Sequence, residues 1–341
     1  MKKHINIPIF IPHMGCPNQC VFCNQKIISG VEKFEAEKIR EIIERSLSTA
    51  GECQSVEIAF FGGSFTGIDR SLMIELLSIA KHYIDIGRVN SIRCSTRPDY
   101  ITDEILDILY DYGVKTVELG LQSASGKILE ICKRGHTFSD EIEACKKIVG
   151  HGFTLGGQMM IGLPGATTED EIATAEFVVK SGAKEARIYP TVVFKDTELC
   201  EMTKSQTYVP LSLEEAVDRS YRALKVLIMG GVKVLRIGLC ESENLHSEET
   251  FFAGPNHSAL GELVENRFYR QAISDKLTEL EVSEGSEVTV YVPKGHISKA
   301  SGHKKANKIY LMNEFNLKCL EFRECCELDK YVISIDVQER K

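Results

Sequence analysis

Three cysteines near the start of the chain, Cys16, Cys20 and Cys23, have the number and spacing to bind an inorganic cluster. Three thiolates, rather than four, are what a [4Fe–4S] cluster requires if one iron is to stay open to a further ligand. Structural zinc sites usually have four protein ligands, and no histidine or fourth cysteine lies at ligand spacing nearby. The spacing therefore favours an iron–sulfur cluster, with zinc or unliganded thiols as the alternative.

A glycine-containing segment, Gly62-Gly63-Ser64, follows the apolar run 56–61. Glycines allow the backbone to approach a ligand and to offer it bare N–H and C=O groups. A methionine moiety that chelates an open iron would need such partners for its ammonium group. We therefore expect this segment to bind a ligand, and the alternative is an ordinary turn between a strand and a helix.

Polar residues also interrupt the apolar run 117–121, where alternation places Glu118, Gly120 and Gln122 on one face of a strand. A carboxylate that faces a protein interior requires a partner. A ribose diol or an ammonium group would serve, and so would an internal ion pair with an arginine such as Arg97. Both interpretations stay open for Glu118, whereas a ligand role is favoured for Gln122.

A tight turn, Gly162-Leu163-Pro164-Gly165, ends the predicted strand 154–161. Its backbone could bracket an adenine ring, on which Met159 or Met160 could pack. One of these methionines is then expected to be an ordinary core residue.

These segments lie in a chain that alternates strands and helices six times. Parallel strands need crossover connections, so the alternation predicts a parallel sheet with helices outside. The strands are predicted at 5–11, 56–61, 91–96, 117–121, 154–161 and 185–193, and the helices at 35–50, 71–84, from 102 to before 113, 125–132, 139–149, 168–180 and 213–228.

The cysteine motif, the two glycine turns and Gln122 all fall at or just after the ends of predicted strands. In a parallel barrel these ends share one rim. We therefore predict an α/β fold with a partial (β/α)6 TIM-like barrel over residues 1–265, and an open doubly wound sheet is the alternative. Residues 266–341 are predicted to form a small α+β module.

The composition is that of an ordinary globular protein, with 43% hydrophobic and 26% charged residues. No apolar run is long enough to span a bilayer, and the N-terminal residues lack the pattern of a signal peptide. We expect a cytoplasmic protein without membrane contact, in which the other cysteines stay reduced. Seven of these are predicted to be small core residues, namely Cys53, Cys94, Cys132, Cys145, Cys200, Cys240 and Cys319.

The charge is unevenly distributed along the chain. The net charge of −8 argues against a general attraction to nucleic acid, yet residues 266–341 have a net charge of +1 and residues 1–265 one of −9. Between Glu287 and Glu314 there are five lysines, two histidines and no acidic residue. This segment, 294–308, is therefore predicted to form a local basic patch.

Taken together, the motifs resemble the radical S-adenosylmethionine (radical SAM) enzymes, and in particular the catalytic subunit of Elongator and its bacterial relatives. The resemblance runs in family order from Cys16 to about Thr197. It rests on the cysteine motif and on the segments 62–66, 96–100, 118–123, 160–165 and 188–191.

The resemblance implies that Cys16, Cys20 and Cys23 hold a [4Fe–4S] cluster. S-adenosylmethionine would chelate the fourth iron, and one-electron reduction would cleave it to a 5′-deoxyadenosyl radical that abstracts hydrogen from the substrate. The electron would come from a donor such as flavodoxin or ferredoxin. The residues expected to bind S-adenosylmethionine are Gly62, Gly63, Ser64, Glu118, Gln122, Met160 and Gly162.

The Elongator subunit carries a further acetyltransferase domain, which completes the carboxymethylation of wobble uridine in tRNA. Here about 75 residues follow Asn266, and they contain no glycine-rich pyrophosphate loop. We therefore do not expect the full carboxymethyl-transfer chemistry. The turn 302–305 faintly resembles the RNA-clamping GxxG loop of a KH module, but it lacks the second glycine. A solvated lysine face is the alternative.

Three functions are consistent with these features. The favoured one is a radical SAM enzyme that modifies a tRNA nucleotide and contacts the tRNA through the 294–308 basic patch. The second is a radical SAM enzyme that acts on a small molecule such as a tetrapyrrole. The third is a non-catalytic metal-binding protein whose cluster or zinc is structural. The sequence does not identify a catalytic residue that acts on the substrate.

Overall fold

The computed structural model describes residues 4–11, 14–17, 19–24, 27–28, 34–49, 51, 55–240 and 245–338. Cys53, predicted above to be a core residue, lies outside the described residues, as does the predicted helix end at residue 50.

Strands and helices alternate along the described chain. The strands are β1 (His4–Ile11), β2 (Ser55–Gly62), β3 (Ser91–Thr96), β4 (Val114–Gln122), β5 (Thr154–Ile161), β6 (Glu185–Pro190), β7 (Val193–Phe194), β8 (Lys233–Ile237), β9 (Phe251–Ala253), β10 (Glu287–Pro293), β11 (Cys319–Cys325) and β12 (Ser334–Gln338). The α-helices are α1 (Ile39–Thr49), α2 (Arg70–Asp85), α3 (Asp103–Asp111), α4 (Gly126–Ile131), α5 (Phe138–Gly150), α6 (Thr168–Lys180), α7 (Glu198–Lys204), α8 (Leu213–Met229), α9 (Leu260–Glu279), α10 (Ile297–Ser301) and α11 (Ala306–Glu314).

Seven strands form one parallel sheet in the order β1-β2-β3-β4-β5-β6-β8. The sheet is curled into a half-barrel with helices packed against it, which confirms the predicted partial TIM-like barrel. It has one strand more than predicted, because β8 pairs with β6. None of the five residues of β8 is fully buried, whereas each of the other six strands of this sheet has buried residues.

Side-chain caps fix the starts of several barrel helices. Thr102, predicted to be an N-cap, accepts a hydrogen bond from the backbone N–H of Ile105 at 3.2 Å. Capping boxes, in which the cap and the third helical residue bond each other's backbone, begin α5, α6 and α8. The helix boundaries are therefore encoded locally, which explains why the predicted ranges agree closely with the structure.

The C-terminal residues form a second sheet in the order β11-β10-β12, with α10 and α11 connecting β10 to β11. The preceding helix, α9, runs continuously across the predicted boundary at residues 265 and 266. One apolar cluster includes buried residues of both the barrel and this module, such as Leu224 and Val290. The division at residue 265 stays a prediction. Among the described residues, none of the helices has the length and apolar character required to cross a membrane.

A network of buried charges lies inside the half-barrel, centred on Glu118 of β4. Its carboxylate accepts hydrogen bonds from Arg93 at 2.7 Å and from Arg187 at 2.7 and 3.1 Å. Gln158 donates a further bond at 2.9 Å, and Arg93 also pairs with Glu57 at 2.5 Å. Burial by itself would raise the pKa of Glu118, but the guanidinium groups of Arg187 and Arg93 outweigh it, so that the pKa lies below its ordinary value.

This network predicts that Glu118→Gln lowers the free energy of unfolding by about 3–5 kcal/mol, because two buried guanidinium groups lose their shared counter-charge. Since the folded state depresses the pKa of Glu118, its stabilising contribution is present above the ordinary carboxyl pKa of 4.5 and is lost as the pH falls below it. Urea unfolding of the wild type and the variant between pH 7 and pH 4 should therefore show a difference that shrinks on acidification.

The matched control is Glu104→Gln, which removes an exposed carboxylate that pairs with Arg70 at 3.0 Å. Its free energy of unfolding should stay close to that of the wild type, because exposed ion pairs contribute little. Equal stability of the two variants at pH 7 would contradict a structural role for the network.

Candidate active site

The carboxyl ends of the parallel strands surround a cavity of about 630 Å³. Cys16, Cys20 and Cys23 all line it, together with glycines and polar side chains from the ends of the strands. The structure therefore brings the cysteine segment and several predicted ligand-binding residues to one rim. Those that contribute to the lining are Gly62, Gly63 and Gln122, with Gly120 beside them.

The three thiols differ in exposure, since Cys20 is buried, Cys23 is half-buried and Cys16 is exposed. Within the described ranges, no three His, Cys, Asp or Glu side chains converge closely enough to hold one metal ion. The thiols share the wall of one cavity and do not meet at one point. A [4Fe–4S] cluster binds each cysteine to a different iron, so the ligand set is compatible with this arrangement.

The stem of the cysteine segment packs directly on the turn after β2. Gly63 donates its N–H to the carbonyl oxygen of Ile11 at 2.8 Å, and Ser64 donates to Met14 at 3.0 Å. A Cβ atom at Gly63 would overlap the Met14 carbonyl oxygen, and one at Gly15 would overlap the carbonyl oxygen of Ser64. The glycines are therefore required for backbone-to-backbone contact with the cysteine segment, a role that the sequence analysis did not assign to them.

The middle of the cysteine segment is anchored to the opposite part of the half-barrel. Val21, which is buried, donates its N–H to the carbonyl oxygen of Cys132 at 3.2 Å, and its own carbonyl accepts from Leu199 at 2.8 Å. Cys20 belongs to an apolar cluster with Ile128 and Cys132. The segment is thus held from two sides, and its thiols stay at the cavity.

Two buried arginines adjoin the cysteines. Arg134 donates from Nη1 to Cys20 Sγ at 3.3 Å and from Nη2 to the Gly120 carbonyl oxygen at 2.5 Å. Arg97 forms two hydrogen bonds of 2.9 Å with Asp99. Within the described chain, Nη1 of Arg97 and Nε of Arg134 are buried without a hydrogen-bond partner. The cavity therefore has a positive wall with unused donors, which suits an anionic group.

Gln122 ends β4 in a left-handed conformation, with φ of 70°, at a shift in the pairing with β5. Such a backbone conformation is uncommon for a residue other than glycine. The side-chain Oε1 is buried and has no hydrogen-bond partner among the described residues. An acceptor held in this way at the cavity fits a ligand with a hydroxyl or ammonium donor.

Ser64 and Glu118 lie behind this lining. The Ser64 hydroxyl is 2.8 Å from the Thr96 hydroxyl and accepts from the Arg97 backbone N–H at 3.3 Å. Glu118 takes part in the buried network described above. Its arginine partners are Arg93 and Arg187, whereas the ion pair considered in the sequence analysis was with Arg97.

A second cavity, of about 470 Å³, adjoins the first and shares Cys23, Gly62 and Gln122 with it. Met160 lines this second cavity. The predicted residue Gly162 lies elsewhere: it is buried, its N–H bonds Glu171 at 2.6 Å, and its carbonyl accepts from the Tyr208 hydroxyl at 2.7 Å. The structure therefore does not bring Gly162 to either cavity.

The walls of the second cavity combine aromatic and cationic side chains. Phe10 and Phe61 have ring centroids 6.1 Å apart, and the Arg187 guanidinium lies 5.3 Å from the Phe61 ring centroid. Tyr189 and the exposed Arg236 also line this cavity. A planar, polar group could stack on these rings and bond the arginines.

Arg134 is a buried cavity residue that sequence reasoning missed. It follows the short helix α4 in a tight turn, where Lys133 and Gly135 have φ of 54° and 74°. An arginine in such a turn usually lies in solvent. Its burial depends on Gly120 and Cys20, which are distant in the sequence, so the signal becomes visible when the fold is known.

The donor set fits an anionic iron–sulfur cluster with an organic ligand beside it. Three thiols supply the iron ligands, the glycine turn allows close approach, and the buried Arg97, Arg134 and Gln122 atoms lack partners within the described residues. In the comparison with known proteins, residues 10–178 match the model of the radical SAM superfamily, and residues 183–270 match that of the radical SAM C-terminal domain.

Two curated proteins of Methanocaldococcus jannaschii are similar to this chain over about half of its residues. An uncharacterized protein of Methanocaldococcus jannaschii is 31% identical over 59% of this chain, which spans 65% of its length. The tRNA uridine(34) acetyltransferase of the same organism is 34% identical over 46% of this chain, which spans 29% of its length.

Among solved structures, the archaeal Methanocaldococcus infernus Elp3 with an N-terminal deletion superposes with a TM-score of 0.64 and 22% identity, over 79% of this chain and 63% of that one. This likeness concerns the fold, and it confirms the predicted resemblance to the Elongator subunit. The two family models together cover most of residues 10–270. The chain therefore belongs to the radical SAM superfamily and is a radical SAM enzyme that uses a [4Fe–4S] cluster and S-adenosylmethionine.

Proposed function

We propose that this radical SAM enzyme modifies a nucleotide of tRNA. The observation that carries the proposal is the pair of adjoining cavities, one lined by the three cysteines and the other by aromatic rings and arginines. Enzymes that act on a base take it out of the stack and hold it between apolar or aromatic side chains. The second cavity has the volume and the chemistry to hold such a base next to the cysteine cavity.

The relatives support the same substrate class. The tRNA uridine(34) acetyltransferase of Methanocaldococcus jannaschii is 34% identical, and one of Methanocaldococcus infernus is 36% identical over 36% of this chain. Since this chain spans less than a third of either protein, the shared part concerns the radical SAM region. Because both relatives are named for a uridine of tRNA, a pyrimidine of tRNA is the first substrate to test.

Within this proposal, Cys16, Cys20 and Cys23 hold the cluster. Gly62, Gly63 and Gln122 line the same cavity and would contact S-adenosylmethionine directly, whereas Met160 lines the second cavity, where the base is proposed to bind. Ser64 and Glu118 would act from behind the lining through Thr96 and Arg187. Gly162, the last residue proposed from the motifs, lies outside both cavities, with its backbone bonded to Glu171 and Tyr208. When bound, the cluster and S-adenosylmethionine supply radical hydrogen abstraction.

The chain's own residues would then orient the base and exclude water from it. Phe61 and Tyr189 offer stacking surfaces, while Arg187 is fixed by Glu118 and cannot swing away. The fixed guanidinium would hold a base carbonyl or a phosphate oxygen in one orientation. This positioning is the contribution expected of the protein, since the cofactor does the chemistry.

The 294–308 basic patch would contact the tRNA backbone. Lys294, His303, Lys304 and Lys305 are exposed, whereas Lys299 pairs with Glu265. Lys304 and Lys305 both adopt positive φ, of 51° and 64°, in the turn between α10 and α11. The turn thus projects two lysines together toward solvent, where phosphates could bind them. We further propose a cytoplasmic location and an electron donor such as flavodoxin or ferredoxin.

The cysteine assignment predicts that alanine at Cys16, Cys20 or Cys23 abolishes the cluster and the release of 5′-deoxyadenosine together, because each cysteine holds one iron. The proteins are reconstituted anaerobically and analysed for iron. EPR is recorded after dithionite reduction, and the release of 5′-deoxyadenosine is measured after S-adenosylmethionine is added. Adding bulk tRNA should raise the release and leave a modified nucleoside in the digested tRNA.

The control is Cys326→Ala, which removes an exposed cysteine in the C-terminal module and should leave all signals unchanged. A full iron content in any of the three variants would sink the ligand assignment. If a tetrapyrrole and not tRNA raises the release of 5′-deoxyadenosine, the proposed substrate is wrong. A bound zinc without S-adenosylmethionine cleavage would leave a non-catalytic metal-binding protein.

The packing of the cysteine stem predicts that Gly63→Ala reduces iron incorporation at least ten-fold, because the added methyl group would overlap the Met14 carbonyl oxygen. Gly126→Ala is the matched control, since a methyl group there meets no atom within 4 Å. It should keep the wild-type iron content and a stability close to that of the wild type, because Gly126 is the first residue of α4. Iron analysis and thermal unfolding of both variants check this, and normal iron in Gly63→Ala would contradict it.

The basic patch predicts that the double variant Lys304→Ala, Lys305→Ala binds tRNA at least ten-fold more weakly and lowers the slope of log K against log salt by about 1–2. The control is the double variant Lys146→Ala, Lys180→Ala, which removes the same charge from exposed positions on α5 and α6. Filter binding between 50 and 200 mM salt measures both. An equal loss of tRNA affinity in the two double variants would show that net charge, and not this surface, governs tRNA binding.

A further inference from the structure

A buried arginine contacts a cysteine of the proposed cluster site. Arg134 is 6% exposed, and its Nη1 donates to Cys20 Sγ at 3.3 Å. Hydrogen bonds from N–H groups to cysteine sulfurs, and the net charge near a cluster, set the reduction potential of iron–sulfur proteins. The position of this guanidinium is therefore relevant to the cofactor and not only to the packing of the barrel.

Several contacts fix the guanidinium in this position. Nη2 of Arg134 donates to the Gly120 carbonyl oxygen at 2.5 Å, and the Arg134 carbonyl accepts from Arg97 Nη2 at the same distance. Arg97 is in turn held by the Asp99 carboxylate through two bonds of 2.9 Å. The cysteine segment is tied to the same turn, since Val21 bonds the carbonyl of Cys132. Cys20 and Arg134 are thus anchored to one short stretch of chain.

The surroundings leave the guanidinium charge largely unneutralised. Asp99 forms its hydrogen bonds with Arg97, and within the described chain no carboxylate lies within ion-pair distance of Arg134. His136 and Glu141 bond each other at 3.0 Å behind this group. Burial raises the pKa of Glu141 to about 9 and lowers that of His136 to about 3, so both are neutral at pH 7. A positive charge therefore faces Cys20 in a buried environment.

We propose that Arg134 is a positioning residue for the cluster. It holds the Cys20 thiolate through an N–H···S bond and thereby raises the reduction potential of the cluster. An added electron makes a thiolate-bound cluster more negative, and a fixed guanidinium stabilises the more negative state. The couple transfers one electron from a low-potential donor of the flavodoxin or ferredoxin class, and no bond of Arg134 forms or breaks. The inference rests on the proposed assignment of Cys20 as an iron ligand.

The test replaces Arg134 with methionine, which keeps the length and removes the charge and the donors, and with lysine, which keeps the charge. Reconstituted full-length proteins are titrated anaerobically with mediators while the EPR signal of the reduced cluster is followed. We expect the midpoint potential to fall in Arg134→Met by more than the titration error. Arg134→Lys should lie between it and the wild type. The control is Arg219→Met, whose arginine pairs with Glu171 and lines neither cavity, and whose midpoint potential should equal that of the wild type.

Two results would overturn the inference. One is a midpoint potential in Arg134→Met that equals the wild-type value at full iron content. The other is a shift of the midpoint potential in Arg219→Met as large as that in Arg134→Met. If Arg134→Met fails to load iron, the comparison moves to Arg134→Lys, where an unchanged midpoint and EPR line shape would overturn it equally. Failure of the proposed site has a different signature, because the wild type would then take up no cluster or Cys20→Ala would retain it. The two failures are therefore distinguishable in one set of samples.

Discussion

The whole rim depends on direct contact between two stretches of backbone. The stem of the cysteine segment lies so close to the turn after β2 that Gly15 and Gly63 each face a carbonyl oxygen of the other stretch. Side chains cannot mediate such a contact, so the geometry of the cysteine wall is set by the end of β2, next to the edge strand β1. A cluster ligand on a free loop would lose conformational entropy on binding metal. Here much of that entropy is already lost in the folded chain.

The parts of the fold that were predictable are those encoded by neighbours in the sequence. The bounds of β5 and α6 agree with the prediction at both ends, because an apolar run and a capping box at Thr167 define them locally. The shared rim followed from a general property of parallel strands, whose carboxyl ends lie on one side of the sheet. For these reasons the cysteines, Gly62, Gly63 and Gln122 could be placed at one site before the structure was known.

The remaining features depend on contacts between distant residues. The strand β8 is short, half-exposed and carries two charged residues, and its place in the sheet depends on its pairing with β6, which is distant in the sequence. The partners of Glu118 could not be chosen among several arginines, because the choice depends on register: Ser95 lies beside Glu118 on β3, which places Arg93 one pleat away on the same face. Gly162 was expected at the ligand from its turn chemistry, yet Glu171 and Tyr208 already occupy its backbone groups.

The distribution of charge explains how an acidic protein can hold an anionic cofactor. The net charge of −8 is carried mainly by exposed carboxylates, which water and salt screen within about 10 Å. Inside the barrel the arginines are fixed in a low-dielectric environment, where each charge acts more strongly at short range. Arg93 and Arg187 are compensated by Glu118, whereas Arg134 faces Cys20. Arg93 and Arg187 thus have a carboxylate partner on another strand of the sheet. Arg134, in the turn after α4, has none within ion-pair distance among the described residues, so its charge is directed at the cysteine.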